Sequence, residues 1–303
     1  MFKSLMHFAG VLAIACILPA CSIKEQCTSC PAQVNVSFSG LEIRTDASDS
    51  RFVRTKATPA DSAGVGGIVF AVINAEGEIV YSAQQSPKDE GFGAVSFELT
   101  EGVYTFAAEA HIFSGPASIS VSGGKAIATL ESSAVYETFA ASKQVTVTAG
   151  EDVDLQMTLS RITAQLSLVT KDNQPEEVAK LQFFIGDALK PAYGAFSIDL
   201  ASGTMADFGV NGHLAREWGR GTSNVGNPTT QSCALLLAAE EQSLPVKIVA
   251  LDASGEVLRS HFIPSVPFKQ NCTTTIAGEF YSTPAASSFQ FDTEWGTPID
   301  GGW

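Results

Sequence analysis

Cysteine offers the most versatile chemistry in this sequence, which contains six cysteines among 303 residues. Cys27 and Cys30 form a CxxC pair, a spacing that redox enzymes place at the start of a helix. Because Pro31 and then a strand pattern follow Cys30, we predict that this pair belongs to a tether or forms a local disulfide, and that it is not a redox centre. Cys233 and Cys272 are the candidates for a structural disulfide, although sequence alone does not settle which cysteines pair.

Carboxylates and histidines show no arrangement typical of catalysis or metal binding. The sequence contains neither a GxSxG nor an HExxH motif. Glu151, Asp152 and Asp154 lie close together but lack the spacing of a calcium loop, so we predict a solvated turn at the start of a strand. Zinc requires four suitably spaced ligands, which the scattered histidines do not supply. We predict no enzymatic activity, no cofactor and no metal, and His111 is expected to be packed or at the surface.

The N-terminus has the pattern of a secretion signal. Lys3 precedes an uncharged run from Phe8 to Leu18, which is shorter than the roughly 20 apolar residues that a membrane-spanning helix needs. Residues 18–21 (LPAC) resemble the lipobox of bacterial lipoproteins. That resemblance implies cleavage before Cys21 and acylation of its thiol and its new amine, and three acyl chains would hold the protein to a membrane almost permanently. The alternative is ordinary signal cleavage beside a chance cysteine.

The charge balance excludes one class of partner. The chain carries 18 Lys and Arg against 32 Asp and Glu, a formal net charge of −14, and 45% of its residues are apolar. The apolar share argues against general disorder, and the acidity argues against a nucleic-acid partner, which needs clustered cations.

Strand patterns run through the whole mature chain. Val34–Phe38 alternates apolar and polar residues, the period of a half-buried strand, and residues 40–64 then read as a polar loop. From Ile68 onward, short alternating segments are separated by turn signals, and no long helical period occurs. Residues 130–142 are predicted as a short helix or loop, and residues 201–230 as the least regular stretch.

These patterns predict an all-β chain with two sandwich domains. The predicted divisions are a signal peptide (1–20), a lipidated tether (21–33), an N-terminal β-sandwich (34–160), a C-terminal β-sandwich (161–285) and an aromatic, acidic tail (286–303). Residues 74–82 and 252–260 are identical at four of nine positions, which favours two related halves. The tail is predicted to pair as an edge strand, either with its own sheet or with another chain.

Several segments resemble fimbrillin-like proteins of the Bacteroidales. Residues 161–169 (RITAQLSLV) are similar to the strand that opens the second domain of that family, and residues 266–278 (VPFKQNCTTTIAG) to a late segment. The lipobox, the loop at 51–58 and the terminal Asp/Glu-Trp segment fit in the same order. Cys272 departs from the residue that the family more commonly has in its late segment.

The resemblance implies two tandem transthyretin-like β-sandwich domains in a lipoprotein precursor that builds or anchors fimbriae. In stalk subunits of the family, an arginine-specific protease removes the N-terminal strand, and a strand from a neighbouring subunit enters the empty groove. By that resemblance, Arg44, Arg51 and Arg54 are the candidate cleavage sites. An anchor subunit instead keeps its N-terminus and its lipid.

We therefore predict an outer-membrane lipoprotein of the cell surface that serves as a fimbrial subunit or anchor. It is expected to assemble with other fimbrial subunits by β-strand addition and to support adhesion to host or bacterial surfaces. The stalk, tip and anchor roles stay open. The alternative is a surface glycan-binding lipoprotein in which Trp218, or the aromatic residues of the tail, stack on sugar rings; a Trp218 packed in the core is the commoner case.

Overall fold

The computed structural model describes residues 30–40, 65–113, 115–132, 135–186, 194–206, 215–219 and 225–282. Within these ranges the regular structure consists of strands, which confirms the predicted all-β fold class. No helix in this described part of the chain is long and apolar enough to cross a membrane.

The first half of the described chain supplies ten strands: β1 (Ala32–Ser39), β2 (Gly67–Ile73), β3 (Ile79–Gln85), β4 (Ala94–Leu99), β5 (Gly102–His111), β6 (Ala117–Ser122), β7 (Lys125–Ser132), β8 (Thr138–Val147), β9 (Val153–Thr158) and β10 (Ser160–Arg161). Nine more follow: β11 (Ala164–Thr170), β12 (Lys180–Ile185), β13 (Gly194–Asp199), β14 (Thr204–Met205), β15 (Ala215–Gly219), β16 (Thr230–Leu235), β17 (Glu241–Leu251), β18 (Val257–Lys269) and β19 (Thr273–Gly278).

The first sandwich packs a three-stranded sheet on a five-stranded sheet. The strand orders are β4-β1-β9 and β10-β8-β5-β2-β3. Successive side chains of a strand point to opposite faces, so alternate residues of β1 face the second sheet. Val36 and Phe38 of β1 thus meet Phe70 and Phe106 of the larger sheet in one buried cluster.

The second sandwich has the same arrangement with different strands. A three-stranded sheet, β16-β11-β19, packs on a four-stranded sheet, β15-β12-β17-β18. Leu166 and Leu168 of β11 share a buried cluster with Phe183 of β12 and Ile248 of β17. The β-sandwich prediction is therefore confirmed for both halves.

A further sheet joins the two halves of the molecule. Its order is β14-β13-β7-β6, so a hairpin from the first half pairs with a hairpin from the second. Across this sheet the Lys125 Nζ lies 2.7 Å from the Asp199 Oδ2. Ala128 and Leu130 of β7 belong to the same buried cluster as the second sandwich. The halves consequently share one continuous apolar core through this sheet.

The regions that sequence patterns described poorly include two strands of the shared sheet, β7 and β14. β7 runs to Ser132 and β8 begins at Thr138, so the helix or loop predicted over 130–142 narrows to the few residues between these strands. Residues 201–230 contain β14, β15 and the start of β16. β7 is buried at consecutive positions, because it packs on both faces, and this burial removes the alternation that marks a half-buried strand.

Candidate functional site: the groove filled by the first strand

β1 lies between two strands that are distant from each other in sequence. It pairs antiparallel with β4 over six residue pairs and parallel with β9 over six more. In the described residues, β4 and β9 meet only through β1. We call the slot between β4 and β9 the β1 groove.

Ala32 and three larger apolar side chains of β1 fill the inner face of the β1 groove. Val34, Val36 and Phe38 are 0%, 2% and 0% exposed. The Phe38 and Phe70 rings meet edge-on with their centroids 5.5 Å apart. Because burying one Val or Phe side chain is worth about 1.5–3 kcal/mol, these three contacts hold β1 along most of its length.

A ladder of hydrogen bonds holds β1 on the outer face of the groove. The Asn35 Nδ2 donates to Asp154 Oδ1 of β9 at 2.8 Å, and the Ser96 Oγ of β4 donates to Asn35 Oδ1 at 2.6 Å. The Gln33 Nε2 donates to Ser96 Oγ at 2.8 Å, and the Gln33 backbone N–H donates to Asp152 Oδ1 at 3.2 Å. A single asparagine therefore connects both walls of the groove.

The carboxylates predicted to form a solvated turn have a more definite position. Asp152 and Asp154 are exposed, as expected, but both bond to β1. No group of three or more possible metal ligands occurs within the residues that the structure describes. These carboxylates thus contribute to the recognition of a strand.

Gly40 directly follows β1 and has a left-handed backbone conformation. Its φ is +82°, and a Cβ at this position would lie 2.4 Å from the Leu159 carbonyl oxygen. Only glycine fits such a conformation and such a close approach without strain. The candidate cleavage sites follow this turn, but Arg44, Arg51 and Arg54 lie outside the described residues and stay predictions.

The chain enters the groove directly after Cys30. Cys30 is disulfide-bonded, and its carbonyl accepts a hydrogen bond from the Gly150 N–H at 3.1 Å. Cys27 and Cys21 lie outside the described residues. The bond between Cys27 and Cys30 and the lipidation of Cys21 therefore stay predictions.

The predicted disulfide between Cys233 and Cys272 is wrong. Both residues are buried, and no disulfide joins them. Cys233 lies on β16, opposite Leu166 of β11, whereas Cys272 directly precedes β19 on the other side of β11. Two strands that flank a common neighbour are about 9–10 Å apart, which exceeds the roughly 7 Å that the Cα atoms of a disulfide tolerate.

The first half contains a buried polar pair that the sequence patterns did not predict. The His111 Nδ1 lies 2.9 Å from the Glu109 Oε2, and both side chains are almost fully buried. Burial raises the pKa of Glu109, although the hydrogen bond from His111 opposes that shift. His111 is thus packed, one of its two expected states. The sequence signal for this buried pair is a glutamate within an otherwise apolar strand, followed two positions later by a histidine.

The residues of the glycan-binding alternative are described only in part. The backbone of Trp218 on β15 pairs with Leu181 of β12. The side chain of Trp218 and the tail at 286–303 lie outside what the structure describes. Sugar stacking by either of them stays a prediction.

The strands of the β1 groove lie in a part of the sequence that matches a known protein family. Residues 27–188 match the model of the fimbrillin-A associated anchor proteins Mfa1 and Mfa2, more than half of the 303 residues. The chain belongs to this family. Residues 117–303 also match the model of DUF6562, a family of unknown function. None of the curated proteins matches the chain in sequence.

Solved structures with a similar chain path include two fimbrial proteins of Porphyromonas gingivalis. The fimbrial anchor protein Mfa2 is 13% identical with a TM-score of 0.46, over 76% of this chain and 82% of that one. The tip fimbrial protein Mfa3, with a C-terminal truncation, is 12% identical with a TM-score of 0.41, over 82% and 94%. A Bacteroides thetaiotaomicron protein with a provisional polysaccharide-binding role is 12% identical with a TM-score of 0.47, over 76% and 79%. The family assignment rests on the sequence models alone.

Family membership confirms the fimbrillin-like resemblance and what it implied at the coarse level. As a member of a fimbrial anchor family, the protein is a fimbrillin-type adhesion subunit and not an enzyme. Its association is with the fimbrium of the cell surface and with other fimbrial subunits.

Proposed function

We propose that the protein is an anchor-type fimbrial subunit, fixed to the outer membrane by lipid on Cys21 and joined to other fimbrial subunits by β-strand addition. The position of β1 carries this proposal. β1 is the first strand after the tether, and it has paired neighbours on both sides.

The order of segments explains why β1 suits an anchor. The tether residues 22–31 run directly into β1, so a lipid on Cys21 connects to the sandwiches through this strand. Tension between the membrane and the fimbrium then acts along β1. Its backbone pairs with β4 and β9 are loaded together, and its buried side chains must leave the groove at the same time.

The same groove accounts for strand addition. Main-chain hydrogen bonds give affinity to any strand that enters such a slot, and pockets for alternate side chains give selectivity. A cut after Gly40 would remove the covalent link between β1 and β2, and a strand from another subunit could then compete for the groove. In an anchor the segment 41–64 stays uncut, so a strand from another subunit enters the groove only by displacing a β1 that remains covalently attached at both ends.

Lipid attachment is tested in fimbriated cells that lack the wild-type protein. The full chain, a Cys21→Ala variant and a Cys16→Ala variant are expressed with labelled palmitate, and the outer membrane and medium are separated. We expect label and cell-bound fimbriae with the full chain and with Cys16→Ala, which leaves the lipobox cysteine intact. With Cys21→Ala, we expect no label and fimbriae in the medium. Fimbriae that stay on cells carrying Cys21→Ala would overturn the anchor role.

An arginine-specific protease separates an anchor from a stalk subunit. The purified precursor is incubated with the protease and then sized, beside a variant in which Arg44, Arg51 and Arg54 are replaced by lysine. The anchor role predicts the same monomer from both proteins, with β1 still attached. A cut at these arginines followed by oligomers, absent from the variant, would identify a stalk subunit instead.

A further inference from the structure

The inner face of the β1 groove does not fully define which strand fits it. Val34 and Val36 have the same side chain, and side chains alternate with a period of two. A shift by two residues therefore keeps apolar residues inside and moves one valine to the position of the other. The Phe38 pocket opposes such a shift by its size, so the choice among strands that carry the same apolar pattern in the same register is left to the outer face.

The outer face of the groove is acidic along the first half of β1. Glu98 of β4 lies opposite Gln33, and Asp154 of β9 lies opposite Asn35. Asp152 accepts a hydrogen bond from the Gln33 backbone. The three carboxylate residues are exposed, and neither Lys nor Arg occurs in β1, β4 or β9.

The second half of the same face is uncharged. Ser37 of β1 lies opposite Ala94 of β4 and Gln156 of β9. The two halves therefore offer a matched pair of positions on one strand, two residues apart and on one face. One has Asp154 directly opposite it, and the other has only uncharged residues directly opposite it.

We infer that the acidic half of this outer face selects the strand in the groove by accepting an amide at the position of Asn35 and rejecting a carboxylate there. For a strand that comes from another subunit, this selectivity rests on the proposed β-strand addition. The partner strand is thus one with apolar residues at alternate positions and an uncharged or basic hydrogen-bond donor between them.

The chemistry of the pair explains the rejection. The Asn35 Nδ2 donates to Asp154 at 2.8 Å, and an aspartate at position 35 has no proton for this bond at neutral pH. It also places a like charge directly opposite Asp154, which destabilises strand pairs by roughly 0.2–1 kcal/mol. The Ser96 hydroxyl can donate to either side chain, so the discrimination comes from the β9 wall.

The intact chain tests this rule, because β1 itself occupies the groove. Hydrogen exchange of the β1 amides is measured at low and high salt for wild type, Asn35→Asp, Asn35→Ser and the matched control Ser37→Asp. We expect Asn35→Asp to speed exchange about two- to fivefold over Ser37→Asp at low salt. The exchange rate of Asn35→Ser, which lacks both the amide and the charge, should lie between those of Ser37→Asp and Asn35→Asp. High salt should bring Asn35→Asp close to Asn35→Ser, because exposed charges are screened. Equal exchange in Asn35→Asp and Ser37→Asp at low salt would overturn the inference.

A second arm extends the test to an added strand. A precursor with a specific protease site engineered between residues 41 and 64 is cut there and mixed with labelled peptides of residues 32–39 that carry either asparagine or aspartate at position 35. Preferential uptake of the asparagine peptide supports the selectivity, and equal uptake contradicts it while leaving strand addition intact. If neither peptide enters a cut protein, the strand-addition proposal fails, and the hydrogen-exchange comparison still decides the rule for β1.

Discussion

β1 and β11 occupy the same place in the two sandwiches. Each pairs antiparallel with one strand and parallel with another, and each is the middle strand of a three-stranded sheet. Both begin with Ala-Gln, and the alanines lie opposite leucines: Ala32 opposite Leu99, and Ala164 opposite Leu235. Both glutamines bond to a neighbouring strand: the Gln33 Nε2 donates to Ser96 Oγ, and the Gln165 Oε1 accepts from Thr273 Oγ1 at 2.8 Å.

The two strands differ in how the chain continues on either side of them. β11 follows β10 after two residues, and both bond across the junction: the Ile162 N–H donates to the Thr138 carbonyl, and the Asn271 N–H donates to the Thr163 carbonyl. β1 has only the tether before it and residues 41–64 after it. The pairing of β1 and β11 is alike, so the proposed exchange of β1 would depend on its position in the chain and not on its pairing.

The largest expected effect comes from emptying one pocket in each central strand. Phe38→Ala in β1 and Leu168→Ala in β11 remove side chains that are both 0% exposed. Urea unfolding should show losses of about 3–5 kcal/mol for Phe38→Ala and about 2–5 kcal/mol for Leu168→Ala. Hydrogen exchange should separate them: Phe38→Ala releases β1 more than β5, because β1 can leave alone, and Leu168→Ala loosens its whole sandwich. Uniform exchange in both variants would remove the distinction between the strands.

The same comparison shows which parts of the fold could be predicted from the sequence. β1 and β11 follow a simple alternation, because each is buried on one face, and both were predicted from it. The pairing of β7 with β13 was not, because strands buried on both faces lose that alternation and their partner is distant in the chain. The error at Cys233 and Cys272 has the same origin, since local patterns do not reveal that β11 lies between them. The outer-face role of Asn35 depends on β9, which only the fold brings beside β1.

The next largest effect on stability is expected where β1 and β11 end. β1 ends at Gly40 with φ +82°, whereas β11 ends at Thr170, whose backbone N–H donates to the Thr229 carbonyl at 2.9 Å. Gly40→Ala should cost more than about 2 kcal/mol, from the left-handed backbone and the clash with Leu159 together. Gly91→Ala is the control, because Gly91 has φ +75° but open space around its Cβ position, and it should cost about 1 kcal/mol. Equal losses on urea unfolding would show that the close approach to Leu159 relaxes easily.

Asp172 gives the second sandwich a response to acid. Its carboxylate accepts the backbone N–H groups of Phe280, Tyr281 and Ser282 at 2.8, 2.6 and 2.6 Å. Burial raises the pKa of Asp172, but these hydrogen bonds outweigh burial and lower it below the ordinary value of 3.8. The contribution is therefore complete above the unfolded-state pKa and is lost as the pH falls through the lower folded-state pKa. The stability difference between wild type and Asp172→Asn should shrink below about pH 4 in thermal unfolding. A difference that is constant with pH would contradict this assignment.

Glu109 gives the first half the opposite response. Burial raises the pKa of Glu109 above its ordinary value of 4.5, against the hydrogen bond from His111. The protonated form is thus favoured in the folded state, and its contribution is lost as the pH rises through the raised pKa. Glu109→Gln, which imitates that form, should gain stability relative to wild type as the pH increases above about 4.5. A gain that is the same at every pH would show that the pair does not titrate in this range.

The smallest effect is expected at the two turns that share a sequence pattern. Residues 74–77 close the β2–β3 hairpin and residues 252–255 close the β17–β18 hairpin, and the glycines have φ of 83° and 89°. The Asn74 Oδ1 accepts the Glu78 N–H at 2.7 Å, and the Asp252 Oδ1 accepts the Glu256 N–H at 2.9 Å. Asn74→Ala and Asp252→Ala should each lower the free energy of unfolding in urea by about 0.5–1.5 kcal/mol, because each removes this exposed hydrogen bond. The loss should be larger for Asp252→Ala, because Asp252 also accepts two hydrogen bonds from Ser254. A loss of stability in both variants would support a common design of the two hairpins. A loss in only one variant would show that the hairpins share turn residues and nothing more.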